Sequence, residues 1–155
     1  MKMKLAGALL LSLGLAVAGA GAGLAQSSAD ALITARQAEM KTNMKAMKAL
    51  VSILKGETPY DDAAVQSVAK SIQDAHAAST AADVWNVSTQ TGATVKTDAK
   101  PEIWSDPAGF AAGWTALDVA VAGLEASHDE ASFKAAFPAL GAACKGCHEK
   151  FRAAD

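Results

Sequence analysis

Apolar residues recur at steps of three and four in four stretches of this chain. In the first stretch they are Met40, Met44, Met47, Val51 and Leu54, and similar stretches lie within residues 65–75, 110–124 and 133–151. Such steps place every member on one face of a helix, as the narrow seam that helical bundles bury. No stretch alternates apolar and polar residues with a period of two. The pattern therefore predicts an all-α fold of four helices without strands.

Residues that cap or interrupt helices divide these stretches. Asp61 or Asp62 can cap the second helix, and Ser105 can cap the third. Residues 83–104 form the one long connection, because they combine glycine, proline and several threonines. Pro138 lies inside the fourth pattern, so we expect a kink or a break close to it.

An N-terminal leader precedes the four helices. Residues 1–4 contain two lysines, residues 5–17 form an uncharged apolar run, and residues 18–25 are almost all alanine and glycine. This order describes a secretory signal peptide, and the apolar run is short for a membrane span. No second long apolar segment is evident from the sequence, so we expect a mature protein that is free in its compartment.

We predict cleavage after Ala25, which leaves residues 26–155 as one mature domain. Cleavage after Ala20 or Ala22, or an uncleaved N-terminal anchor, is the alternative. The whole chain has 14 basic and 16 acidic residues, and the two leader lysines leave on cleavage. The mature net charge is then −4, which gives the protein no electrostatic reason to bind nucleic acid or an anionic membrane.

The strongest chemical signal is the run Cys144-Lys145-Gly146-Cys147-His148. Two thiols three residues apart on a helix point the same way and can add to two vinyl groups on one edge of a haem. The following histidine can supply a neutral imidazole nitrogen to the iron. This spacing is the signature of c-type haem attachment, and export agrees with it because such haem is attached outside the cytoplasm.

The cysteine pair has three alternative uses. A thioredoxin-like couple needs a βαβ context, which the pattern does not provide. A zinc site needs four ligands, and only His76 and His128 remain, without ligand-like spacing. A disulfide between Cys144 and Cys147 is possible but would close no loop of useful size. We expect both other histidines to face solvent or lie in loops, with no assigned role.

The whole mature chain resembles the class II c-type cytochromes, the group of cytochrome c′ and cytochrome c556. The haem motif ends seven residues before the C-terminus, on the last of the four predicted helices. Four segments carry the resemblance, in the family's order: Arg36-Gln37-Ala38-Glu39-Met40, residues 55–61, Lys100-Pro101-Glu102-Ile103-Trp104, and residues 144–152.

The resemblance implies a left-handed antiparallel four-helix bundle with one covalent haem c, often paired as a homodimer. Cys144 and Cys147 match the thioether attachments, and His148 matches the proximal iron ligand. Further matches lie around the haem: Arg36 at a propionate, Gln37 at the rim, Lys100 and Glu102 near the edge, and Arg152 close to the proximal histidine.

The position opposite the proximal ligand decides between two functions. The resemblance places Met40 there, and in c556-like members a methionine is the sixth ligand of a low-spin electron carrier. We therefore predict a periplasmic electron-transfer protein, not an enzyme, that exchanges electrons with periplasmic redox proteins. The alternative is a five-coordinate, high-spin cytochrome c′ that binds nitric oxide or carbon monoxide, with Met40 only blocking the pocket.

Overall fold

Four long helices and one short helix make up the described part of the chain. The structure is a computed structural model and describes residues 18–85, 88–89 and 93–154. The helices are α1 (Ala18–Leu54), α2 (Asp62–Ala81), α3 (Glu102–Ser105), α4 (Pro107–Glu125) and α5 (Glu130–Phe151). Within these residues there is no strand, only an isolated bridge between Ala99 and Arg152. The prediction of a four-helix bundle without a sheet is confirmed.

The long helices pack in the order of the chain. Helix α1 packs on α2, α2 on α4, and α4 on α5, while the short α3 lies against α4 and α5. The connections between α1 and α2 and between α4 and α5 are short, so the helices within each pair run antiparallel.

Aspartates begin three of the helices. Asp61 accepts a hydrogen bond from the Ala64 N–H at 2.7 Å, as predicted for α2, and Asp129 accepts one from the Ser132 N–H at 2.8 Å. The third long helix begins one residue later than predicted. Ser105 ends α3, and Asp106 caps α4 by accepting from the Gly109 N–H at 2.9 Å.

Pro138 does not break α5, which runs without interruption from Glu130 to Phe151. The proline ring is on an exposed side of the helix, whereas Phe133 and Leu140 on either side of it are buried. Burial of both residues in one core holds the helix together across the position where the proline removes a backbone donor.

Helix α1 presents a different face to the bundle from the one that the methionine seam predicts. Ala46, Leu50 and Ile53 are buried, whereas Met44 is 53% exposed. The buried face is therefore shifted by about one residue toward the N-terminus. The small side chain of Ala46 allows close approach of a neighbouring helix, and flexible methionines can lie along the flank of such a contact.

The main core fills the end of the bundle away from the haem motif. It contains aliphatic and aromatic side chains from all four long helices: Leu50, Ile53, Val65, Ile72, Leu117, Val121, Leu124, Phe133 and Leu140. The other end is lined by polar and aromatic residues, among them the buried Arg36 and Glu39 of α1. Because of this difference, the end of the bundle that holds Arg36 and Glu39 is the candidate for a functional site.

Helix α4 is long and apolar enough, by length and composition, to cross a membrane. The expectation that no such segment follows the leader is therefore wrong. Within the bundle, α4 buries Leu117, Val121 and Leu124 against its neighbours, and its exposed positions include Asp118. Six of its nineteen residues are alanines, which favour the helical conformation.

Part of the predicted leader, residues 1–17, lies outside the described residues. Residues 18–25 form the start of α1, so the predicted cleavage site after Ala25 falls within a helix of the uncleaved chain. Removal of residues 1–25 stays a prediction.

Candidate haem site

The last three turns of α5 carry the two cysteines and the histidine of the motif. Cys144 and Cys147 are half-buried and form no disulfide. Helix α5 ends at Phe151, and the Arg152 N–H caps it by donating to the His148 carbonyl at 3.0 Å. One regular helix therefore fixes both thiols on the same side, one turn apart.

A glycine of α4 faces the second cysteine. A Cβ atom at Gly113 would lie 3.3 Å from the Cys147 Sγ, tighter than nearly all such contacts. The missing side chain lets the Cys147 sulfur lie close against the backbone of α4.

The chemical state of the thiols argues against a redox couple. Burial raises the pKa of Cys144, and burial together with the neighbouring Cys144 raises the pKa of Cys147. Reactive cysteines have a lowered pKa, because the thiolate is the nucleophile. In the described residues, no group of three or more histidine, cysteine or acidic side chains could hold a metal ion.

His148 borders a groove on the outer side of α5. The groove has a volume of about 580 Å³ and is also lined by Lys100, Glu149 and Arg152. His148 is exposed, yet partial burial and the charge of Arg152 still lower its pKa. The imidazole is therefore neutral at neutral pH, which is the form that binds iron.

The segment before α3 is fastened to the end of α5. The Lys100 N–H donates to the Phe151 carbonyl at 2.9 Å, and the Ala153 N–H donates to the Asp98 carbonyl at 2.7 Å. Glu102 follows in α3, and its buried Oε2 atom makes no hydrogen bond within the described residues. Lys100 and His148 line the same groove. The placement of Lys100 and Glu102 near the haem edge stays a prediction.

Aromatic rings connect the end of α2 with the end of α5. The His76 ring stacks on Trp114 at 4.1 Å between ring centres, and Phe110 packs edge-on against both Trp114 and Phe151, at 5.8 and 5.2 Å. Trp85 tilts over Phe110 at 5.3 Å. A cavity of about 530 Å³ opens beside these rings and is also lined by Ile103 and Trp104. Its size is typical of small-molecule sites.

Arg36 is buried among the residues of the long connection. Its Nε donates to the Val84 carbonyl and its Nη1 to the Thr89 hydroxyl, both at 2.6 Å. The guanidinium lies 5.1 Å from the ring centre of Trp85 and 5.2 Å from that of Trp104. Arg36 is thus an anchor for this connection, and the predicted propionate contact stays a prediction.

Gln37, the predicted neighbour of Arg36 at the haem rim, contacts the same connection. Its Nε2 donates to the Lys96 carbonyl at 2.9 Å. Met40, one turn further along α1, is half-buried and is not packed against the main core.

The sequence-based interpretation missed Glu39 and was wrong about His76. Glu39 is 4% exposed, and its Oε2 accepts a hydrogen bond from the Trp85 Nε1 at 3.0 Å. The His76 side chain is 19% exposed rather than solvent-facing, and its Nδ1 lies 3.5 Å from the Glu39 Oε1. His128 is 68% exposed, as expected. A signal existed for Glu39, because it shares the helical phase of the buried Ala46, Leu50 and Ile53.

The paired thiols, the neutral histidine and the aromatic cavity define a c-type cytochrome. The family model described as Cytochrome C' matches residues 31–152, and this chain belongs to that family. Its cofactor is accordingly one covalently bound haem c. The four-helix architecture agrees, because solved cytochromes c′ share it.

Relatives of two kinds are similar to this chain. It is 34% identical to a cytochrome c′ of Rhodopseudomonas palustris over 123 residues, covering 79% of this chain and 82% of that one. It is 35% identical to a cytochrome c-556 of the same organism over 127 residues, covering 78% and 82%. A solved variant of cytochrome c prime from Alcaligenes xylosoxidans, complexed with nitric oxide, is 28% identical with a TM-score of 0.67, covering 78% and 94%.

The residues present fit covalent haem c. Both thiols are free and half-buried, and one of them lies against the bare backbone of Gly113. The aromatic wall of Phe110 and Trp114 offers an apolar surface on which a porphyrin can pack. The neutral His148 completes a donor set of two sulfurs for attachment and one nitrogen for iron.

Proposed function

We propose that this chain holds haem c through thioether bonds to Cys144 and Cys147, with His148 as an axial ligand, and binds nitric oxide or carbon monoxide at the opposite iron face. Haem iron supplies the position at which such a diatomic ligand binds. The protein residues hold the haem, exclude bulk water and decide what occupies the opposite face.

The observation that supports an open iron face is the phase of α1. In the part of α1 around residues 36–40, Arg36 and Glu39 are buried. Met40 lies at the side of this buried face and is half-buried. Met40 could bind the iron only if its sulfur pointed into the interior of the bundle. The nitric oxide complex of the Alcaligenes xylosoxidans relative supports the same function.

Optical spectra of the ferric and ferrous protein, with and without carbon monoxide, test this proposal. We expect high-spin spectra in both oxidation states, ready uptake of carbon monoxide, and no spectral change in Met40→Leu. Met44→Leu is a matched control, because Met44 is on the same helix but 53% exposed. A weak ferric band at the red end of the visible range, present in the wild type and lost only in Met40→Leu, would overturn the open face.

That second result would support the other candidate, an electron carrier with Met40 as sixth ligand. The similarity to a cytochrome c-556, at 35% identity, favours it. Ligation by methionine and histidine raises the reduction potential of a haem into the range of electron carriers.

The same proposal includes the compartment and the assembly. Export by residues 1–25 would deliver the chain to the periplasm, where haem c is attached. The mature protein would exchange electrons or ligand there with periplasmic redox proteins, without catalysis of its own. We also propose a homodimer, the assembly that the family resemblance implies.

A further inference from the structure

The outward face of α1 carries three lysines on one side of the helix. Lys41, Lys45 and Lys48 follow one another at steps of four and three, and all three are exposed. Between residues 31 and 56 the only acidic residue is Glu39, which is 4% exposed and therefore absent from this outward face. We call the three residues the lysine stripe.

The stripe lysines form no ion pair within the described residues. The lysines of the other long helices differ in this respect. Every lysine of α2 and α5 is paired with an acidic side chain: Lys70 with Asp74, Lys134 with Glu130, Lys145 with Glu149, and Lys150 with Asp106. Like charges four residues apart repel each other and destabilise a helix. Helix α1 therefore keeps an uncompensated positive face, although acidic neighbours would remove the repulsion.

The stripe is a positive surface on an otherwise acidic protein. Of the 14 basic residues of the chain, two lie in the predicted leader and three in the stripe, which leaves nine against 16 acidic residues. A patch whose charge is opposite to that of the remaining surface orients an approaching molecule, because the patch attracts it while the rest repels it. A molecule with a negative surface is therefore steered to α1.

The surroundings of the stripe select among negative molecules that could cover it. An anionic membrane binds a helix whose apolar side can enter the lipid, whereas the apolar side of α1, with Leu50 and Ile53, is buried in the bundle. A second copy with the stripe on a two-fold axis would bring two positive stripes together. An acidic protein meets neither obstacle.

The stripe begins directly after Met40, on the helix whose Arg36 and Gln37 the family resemblance sets at the haem. Carbon monoxide binds ferrous haem, so a protein that takes it up needs an electron donor. We propose that the lysine stripe docks an acidic electron-transfer protein. The reduced cofactor of this partner loses one electron and is oxidised, and the ferric haem gains that electron and becomes ferrous. The inference rests on the haem attachment of the proposed function, whichever ligand occupies the opposite iron face.

Reduction of the ferric holoprotein by reduced flavodoxin, an acidic one-electron donor, tests the docking. The stripe variant, Lys45→Gln with Lys48→Gln, removes two exposed charges and leaves Lys41, the neighbour of Met40, unchanged. At low ionic strength we expect the second-order rate constant to fall by roughly tenfold, because electrostatic steering is weakened. At high salt the difference should vanish, because the charges are screened.

The matched control is Lys70→Gln with Lys134→Gln, which removes two lysine charges that are 67% and 49% exposed on other helices. It should match the wild type. The methyl viologen radical, a cationic donor, should reduce the stripe variant at least as fast as the wild type, which excludes damage to the haem site. Calorimetry with oxidised flavodoxin needs no electron transfer, and the dissociation constant should rise only in the stripe variant.

Several results would overturn the docking surface. Equal slowing in the stripe variant and its control would show that net charge alone sets the rate. An unchanged rate and dissociation constant in the stripe variant would also refute it. If the flavodoxin rate is unchanged, but binding to phosphatidylserine vesicles or self-association is lost only in the stripe variant, the face belongs to a membrane or to a second copy instead.

Failure of the docking is distinct from failure of the proposed function. A wild type with covalent haem and ready carbon monoxide uptake, but without an effect of the stripe variant, refutes only the docking. A chain that carries no covalent haem after expression with c-type maturation refutes the proposed function, and the docking of an electron donor with it.

Discussion

Replacing Arg36 tests whether this residue anchors the long connection between α2 and α3. The guanidinium is 3% exposed and donates to the Val84 carbonyl and the Thr89 hydroxyl, both at 2.6 Å. The methionine in Arg36→Met has a similar length but cannot donate a hydrogen bond. We expect it to lower the free energy of unfolding and to loosen the connection.

The size of the effect follows from these contacts. Each hydrogen bond from a charged donor contributes about 1.5–3 kcal/mol, and the contact of the guanidinium with Trp85 and Trp104 adds about 1 kcal/mol. Burial opposes this gain, because it lowers the pKa of Arg36 by disfavouring the charged form. The net loss should therefore be about 2–3 kcal/mol, or roughly 10 °C in Tm for a chain of this length.

Chemical unfolding of the holoprotein measures the loss, and the reduction potential separates anchoring from a role at the haem. Arg36→Lys keeps the charge but cannot reproduce both hydrogen bonds, so it should lose nearly as much stability as Arg36→Met. A positive charge near the haem disfavours the ferric state, so Arg36→Met should lower the potential while Arg36→Lys preserves it. A stability within about 0.5 kcal/mol of the wild type in Arg36→Met would refute the anchor.

Two further predictions concern the attachment and the acid stability. Cys144→Ala or Cys147→Ala should weaken covalent attachment and the double variant abolish it, as mass spectrometry after expression with c-type maturation would show; a full haem mass on the double variant would disprove the assignment. The pKa of Asp106 is lowered by its hydrogen bonds from Lys150 and the Gly109 N–H. Its stabilising contribution is therefore complete above the unfolded pKa of about 4 and is lost as the pH falls through the lower folded pKa. Asp106→Asn should weaken the dependence of stability on pH in this acid range, and an unchanged dependence would contradict the prediction.

The helices could be predicted from the sequence because their signals are local. Asp61 begins α2 as its capping character indicates, and the apolar spacing identifies all four long helices. The predicted cap of α4, Ser105, is one residue before the observed cap, Asp106. Both residues are good caps, and the sequence does not show that Ser105 is the last residue of α3. Pro138 does not break α5, because burial of Phe133 and Leu140 on either side outweighs one missing backbone donor.

The sequence predicts the chemistry of the site only for residues that are close together in the chain. Cys144, Cys147 and His148 are recognisable from spacing alone, and Lys100 lines the same groove as His148. The contacts of Arg36 depend on where the long connection folds back over α1, and that path is set by tertiary packing. No local sequence pattern indicates that His76, on α2, stacks on a tryptophan of α4.

The helical phase of α1 has the greatest consequence for function. Hydrophobicity alone favoured a seam through Met40, Met44 and Met47, whereas the hypothesis of a methionine ligand came from the family resemblance, which places Met40 opposite the proximal histidine. The bundle instead buries the positions of Glu39, Ala46 and Leu50, and a methionine of the seam remains 53% exposed. A helix that turns a carboxylate inward beside a haem site accepts a cost in stability that a purely apolar face would avoid. The contacts of the Glu39 carboxylate offset part of that cost, because it accepts a hydrogen bond from the Trp85 Nε1 at 3.0 Å and lies 3.5 Å from the His76 Nδ1.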